Sequence, residues 1–112
     1  MNLEKIIKQM KLVPADDSIL MNKDIICGYC SDMLSDVMGN AKENSIWITL
    51  QTHQNIVGVA VMKDMAAIII VNDRKPEANT LKKAKFQNIP ILLTPLTAFE
   101  VCGLLYQLGL KS

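Results

Sequence analysis

"AAIIIVNDRKPE", residues 66–77, decides how this chain folds. An apolar run ending in three consecutive isoleucines and Val71 stops abruptly in Asn72, Asp73 and Arg74. A short continuous apolar run bounded by turn residues reads as a strand buried on both faces, the kind that parallel sheets require. Its β-branched side chains favour that conformation. Two other stretches repeat the pattern: "SIWITL" (45–50) runs into "QTHQN" (51–55), and "IPILL" (89–93) runs into "TPLT" (94–97). Pro76 suits the first turn of a helix running through "EANTLKKAKFQ" (77–87).

Outward from these strands, "DIICGYC" (24–30) reads as a further β segment. Ser31 then fits the N-cap of a helix over "DMLSDVMGN" (32–40), with Met33, Leu34, Val37 and Met38 on one face and Gly39-Asn40 as its stop. "NIVGVAVMKD" (55–64) is rich in β-branched residues, yet its length and polar flanks suit a helix. Helix is the consistent reading, because two parallel strands need a crossover between them. Gly58 would then mark close packing against the sheet. "TAFEVCGLLYQLG" (97–109) predicts a last helix with Phe99, Cys102, Leu105 and Leu108 inward. At the other end, "NLEKIIKQMKL" (2–12) places Leu3, Ile6, Ile7 and Met10 at helical spacing. Pro14 and "ADDS" (15–18) mark a turn, with a short strand at Ser18–Met21. The expectation is one domain over residues 1–112: a helix and turn in 1–23, then strand–helix alternation over 24–110. That is an α/β fold, a largely parallel sheet with helices on both faces.

Bulk properties narrow the function. Twelve Lys and Arg against eleven Asp and Glu leave almost no net charge, which argues against a nucleic-acid partner. No basic amphipathic stretch or long apolar run points to a membrane, and the N-terminus lacks a signal-peptide pattern. The expected location is cytoplasmic, where the three cysteines would stay reduced.

In a parallel α/β sheet the strand-to-helix turns share one edge, at the carboxyl ends of the strands, where such sheets bind ligands. The turns here are 30–32, 51–55, 72–75 and 94–97. They carry the candidate ligand-binding residues Ser31, Asp32, Thr52, His53, Asn55, Asn72, Asp73, Arg74, Thr94 and Thr97. Helix starts favour anions, and the planar fork of Arg74 suits a carboxylate or phosphate. Ser, Thr, Asp and Asn are also ordinary helix caps, so the same residues fit a purely structural role. His53, the one histidine, is either a hydrogen-bonded turn residue or a titrating group.

Two enzymatic alternatives are open. Cys27 and Cys30 form a C-x-x-C at a strand-to-helix transition, the setting of thiol oxidoreductases. Asp32, Asp36 and His53 offer a mixed carboxylate–imidazole metal group, although paired His or Cys spacing is lacking. No nucleotide-binding P-loop, dinucleotide fingerprint or nucleophile elbow occurs, so neither a cofactor nor a catalytic residue is assigned.

From about Asp24 to Leu110 the pattern resembles the DRTGG-domain family, through "GYCSDMLSDVMGNA", "ITLQTHQNIVGVAVMKDMAAIIIV" and "NIPILLTPLTAFEVCGLL". That family is similar to the N-terminal domain of HPr kinase/phosphatase. Its members occur beside CBS domains, inside long phosphotransacetylases, or alone, some encoded near iron-only hydrogenase genes. The resemblance implies a non-catalytic regulatory or ligand-binding module without kinase activity. It puts Gln51-Thr52-His53 where the family has Gly-Asp-Arg, and Val71-Asn72-Asp73 where it has Thr-Gly-Gly. Thr52, His53 and Asn55 match the Thr-His-x-Asn of the small stand-alone branch. The expected ligand is a small anionic metabolite or nucleotide, or else a protein partner in redox or hydrogenase-related metabolism. Two helices apolar over more than one face, 55–64 and 101–110, add the expectation of a homodimer.

Overall fold

The computed structural model describes residues 1–112. Five strands form one sheet in the order β1-β5-β4-β3-β2. These are β1 (Val13–Pro14), β2 (Cys27–Cys30), β3 (Ser45–Thr49), β4 (Ala67–Ile70) and β5 (Ile91–Leu93). β2 to β5 run parallel, and β1 joins β5 antiparallel. The helices are α1 (Leu3–Met10), α2 (Leu34–Asn40), α3 (Asn55–Met62), α4 (Ala78–Gln87) and α5 (Ala98–Gln107).

The run 66–71 lies at the centre of this sheet. Ile68 and Ile70 enter one core with Trp47, Ile91 and residues of α2, α3 and α4. Ala67, Ile69 and Val71 enter a second core with residues of α1 and α5. Alternate side chains of a strand point to opposite faces, so each face of β4 needs its own cover. β2, β3, β4 and β5 are laid down in spatial sequence, so connections of one hand place α2, α3 and α4 on the same side. The other side is left to α1 and to α5, which returns across the sheet to pack on β3 and β2. The expected helices on both faces are present, with the second face covered by the two outermost helices in the chain.

α3 forms as the crossover argument requires, despite its β-branched residues. It lies between α2 and α4, which is why it is apolar around much of its circumference. Gly58 does not mark an approach to the sheet: a Cβ there would meet only Lys83 Nζ of α4, at 4.0 Å.

Several local expectations are corrected. No strand forms at Ser18–Met21; the added strand is β1, where Pro14 sits on the sheet's margin, the place where a missing N–H is tolerated. The following turn is held by Asp16, whose Oδ1 accepts from Ser18 N (3.0 Å) and Oγ (2.6 Å). Ser31 is not the N-cap of α2. The helix begins at Leu34, and Ser31 Oγ accepts instead from Met33 N at 3.2 Å. The delay follows from Asp32, which is drawn sideways onto the end of β3. Gly39 and Asn40 lie within the last turn of α2 rather than beyond it. Pro76 precedes α4, because Glu77 N–H is bonded to Thr52 O (3.1 Å) in an extended conformation before the helix starts. In α5, Phe99 is 89% exposed, while Val101 and Leu105 are buried. Of the residues expected inward, Leu105 is in the core and Cys102 and Leu108 pack against it; only Phe99 faces away, because steps of three residues fall about 60° short of a full helical turn and put it on the far side of the helix.

Ile69→Ala is expected to cost about 2–5 kcal/mol by emptying a fully enclosed site. Phe99→Ala should change stability by no more than about 0.5 kcal/mol. Urea unfolding of the two variants checks both the strand assignment and the rotation of α5.

Candidate functional site

The four turns do lie along one edge, because β2 to β5 are parallel. Most of their polar groups bind one another. Asp32 Oδ1 accepts from Thr49 Oγ1 (2.8 Å) and Leu50 N (2.7 Å), while Gln51 Nε2 donates to Asp32 O (3.0 Å). Thr52 O accepts from Glu77 N and from the buried Thr80 hydroxyl (2.7 Å), fastening the turn after β3 to the start of α4. Asn72 N donates to Leu96 O (2.8 Å) and Asp73 N to Thr94 O (2.9 Å), fastening the turn after β4 to the one after β5. Thr94 Oγ1 accepts from Leu96 N, and Thr97 forms a capping box with Glu100 on α5. The rim is a chain of turns, each bonded to a neighbour.

His53 Nδ1 accepts from Asn55 N at 3.1 Å, and His53 O accepts from Ile56 N. The first N–H groups of α3 are therefore occupied, and the exposed imidazole caps that helix. Asn72 and Asp73 are both left-handed, at φ 60° and 57°. Arg74 N donates to Val71 O (3.3 Å), closing a tight turn with both central residues at positive φ. This is where the family resemblance places two glycines. Asn and Asp are the non-glycine side chains that best tolerate this geometry.

Two features of the rim have no internal partner. Arg74 is exposed and enters neither of the molecule's two ion pairs, while its neighbours Asp73 and Lys75 pair with each other at 3.4 Å. α4 starts without a side-chain cap, in contrast to the boxed start of α5. The exposed Glu77 carboxylate lies at that same start and opposes any anion there. Turns 51–55, 72–75 and 94–97 form an open surface lining none of the three cavities; two cavities lie beside β2, one of them reaching Cys30 where the rim begins, and the third near Asn44 and Asp64 at the opposite edge.

Neither enzymatic alternative is assembled. Cys27 and Cys30 are three residues apart on a strand and so project to opposite faces. Partial burial pushes the Cys30 thiol up to about 12, helped by Cys102 and Asp32 beside it, the reverse of the acidified thiol that oxidoreductases use. Asp32 lies outside α2, so it shares no helix face with Asp36, and no three His, Cys, Asp or Glu side chains gather as a metal group. Asp36 is engaged instead with Tyr29, whose hydroxyl donates to both carboxylate oxygens (3.0 and 2.9 Å), and with Asn40 Nδ2 (3.0 Å).

Sequence reasoning missed Thr49, Gln51 and Thr80, which hold the rim together. Thr80 carried a signal, being a hydroxyl one turn before Ala84 on the buried stripe of α4.

No family model matches the chain, and no curated protein matches it. Among solved structures it is similar to the CBS and DRTGG domains of the regulatory region of Clostridium perfringens pyrophosphatase, complexed with the activator diadenosine tetraphosphate. The TM-score is 0.70 at 16% identity, over 95% of this chain and 46% of that one. The likeness is one of fold, and the fold is DRTGG-like. No helix is long and apolar enough to cross a membrane.

The Tyr29–Asp36 pair gives stability a pH dependence at both extremes. Hydrogen bonds from Ser31, then Tyr29, hold the Asp36 carboxyl below its ordinary 3.8, and the bond to Asp36 holds the Tyr29 phenol above 10.0. The depressed acid contributes stability above about pH 3.8, lost as pH falls through its folded value. The raised phenol contributes below about pH 10, lost as pH rises through its folded value. Tyr29→Phe is therefore expected to flatten both limbs of the profile, read as urea midpoints from acid to alkaline pH.

Proposed function

We propose that this domain is a regulatory module that binds a small anionic ligand, a nucleotide or another phosphate-bearing metabolite, on the open carboxyl rim of its sheet. The observation that carries the reading is Arg74: an unpaired guanidinium next to a left-handed turn and shortly before α4, which starts without a side-chain cap. A guanidinium fork beside free helical N–H groups is suited to phosphate oxygens. His53, with Nδ1 turned to the backbone, keeps Nε2 for a second contact. The fold shared with a regulatory region solved with a dinucleotide activator supports the same ligand class. The contact is superficial, so recognition rests on charge and hydrogen bonds rather than enclosure. The rim's residues bind and orient; none is assigned a chemical step.

The test is thermal denaturation with phosphate, mononucleotides and dinucleoside polyphosphates. A ligand at a hundred times its dissociation constant should add about 2.7 kcal/mol. Arg74→Ala should abolish that response and leave the ligand-free melting temperature unchanged. The absence of any response across the panel would turn the reading toward a protein partner.

A homodimer belongs to the same proposal, on narrower grounds than the sequence offered. α3 is flanked by α2 and α4 and leaves only Val61 and Met62 exposed at its C-terminal end, so the argument rests mainly on α5, which leaves Phe99, Leu104 and Tyr106 exposed. Light scattering at tens of micromolar should give twice the chain mass, and a monomer mass would end the idea.

A further inference from the structure

The chain has three cysteines, and the pair its sequence advertises is not the pair its fold brings together. Cys30 ends β2; Cys102 lies in the second turn of α5, far along the chain. Because α5 crosses back over the sheet to pack on β2, both residues stand in the wall of one cavity of about 180 Å³, between Gly28, Ile48, Leu105 and Leu110. Cys30 is exposed and Cys102 partly so, while Cys27 is buried toward the other face. The lining is almost wholly apolar.

We propose that Cys30 and Cys102 form a reversible disulfide, with a small-molecule disulfide as the oxidant. One cysteine thiolate attacks a sulfur of the oxidant, forming a mixed disulfide and releasing one small thiol. The second cysteine thiolate displaces the remaining half as a second small thiol, leaving the Cys30–Cys102 bond. Two electrons and two protons pass from the protein to the two released thiols. The neighbourhood suits the product better than the intermediate thiolate: a disulfide is neutral and loses nothing in an apolar wall, whereas the Cys30 thiolate is disfavoured by partial burial against that wall and by Cys102 and Asp32. The exchange is accordingly slow, answering a sustained oxidising poise rather than a brief pulse. The bond would tie the carboxyl end of β2, where the rim begins, to the helix that covers the second core. The proposal is independent of what the rim binds.

The native full-length chain is equilibrated for hours in graded mixtures of reduced and oxidised glutathione, alkylated, and mapped by mass spectrometry. The expected result is a loss of about 2 Da per chain with Cys30 linked to Cys102, and Cys27 alkylated only after unfolding. Cys27→Ser should leave that linkage unchanged, while Cys30→Ser or Cys102→Ser should stop at a glutathione adduct. Circular dichroism confirms that each variant is folded. A Cys27–Cys30 link, bridges between chains only, or no loss of mass at any ratio would overturn the proposal.

Discussion

No face of β4 touches water, and the architecture follows from that. Ile68, Ile69 and Ile70 are all fully buried, and they divide between two cores that never meet except through the sheet. A strand with two apolar faces must be interior, and its parallel neighbours must be reached by crossovers. Those crossovers account for α2, α3 and α4 on one side. The opposite side then depends on α1 and α5, which are half of the core and not decoration at its margins. Leu3, Ile6 and Met10 from one end of the chain share one core cluster with Val101, Leu105 and Leu110 from the other.

What could be read in the sequence was whatever carries a long-range burial requirement. The strands at 45–50, 66–71 and 89–93 were legible because continuous apolar runs have few other uses. α3 was legible through topology, against the preference of its β-branched residues. β1 was not: two residues including a proline leave no periodicity, and the strand exists only because β5 offers a partner at Leu92 and Leu93. The inner face of α5 was read correctly at Leu105, Cys102 and Leu108; Phe99 was misplaced because its size looks like core, and Val101 was missed although it lies one turn before Leu105. The C-x-x-C motif misled for a similar reason, since its meaning depends on a helical turn and these residues lie on a strand.

The candidate site was half legible. The turns were located correctly, since their place follows from parallel strands. Their roles were harder to read because a short polar side chain that binds a ligand has the same composition as one that binds a neighbouring turn. Asp32, Thr52 and Thr97 proved to hold the scaffold, and only three-dimensional contacts could say so. Arg74 stands apart because it is too long and too strongly charged to serve as a cap, and its pairing is left open. The two left-handed residues before it explain how Asn72-Asp73 can occupy ground that glycines hold in the resembling family. Asn and Asp reach that left-handed turn because their short polar side chains tolerate it.

The margins of the sheet differ in what they offer another chain. On the β5 side the last strand is β1, two residues long and ending in Pro14, which presents no N–H. An intruding strand finds almost nothing there to pair with, which is one way natural sheets discourage aggregation. On the β2 side, Gly28 N–H is already taken by Lys111 O at 2.9 Å, so a segment of the same chain shields part of that margin. The interior strands of this sheet are isoleucine-rich and would stack readily if exposed. The borders of the folded sheet are thus guarded by two inexpensive devices, a proline at one and a single backbone bond at the other, and the second is the easier to undo.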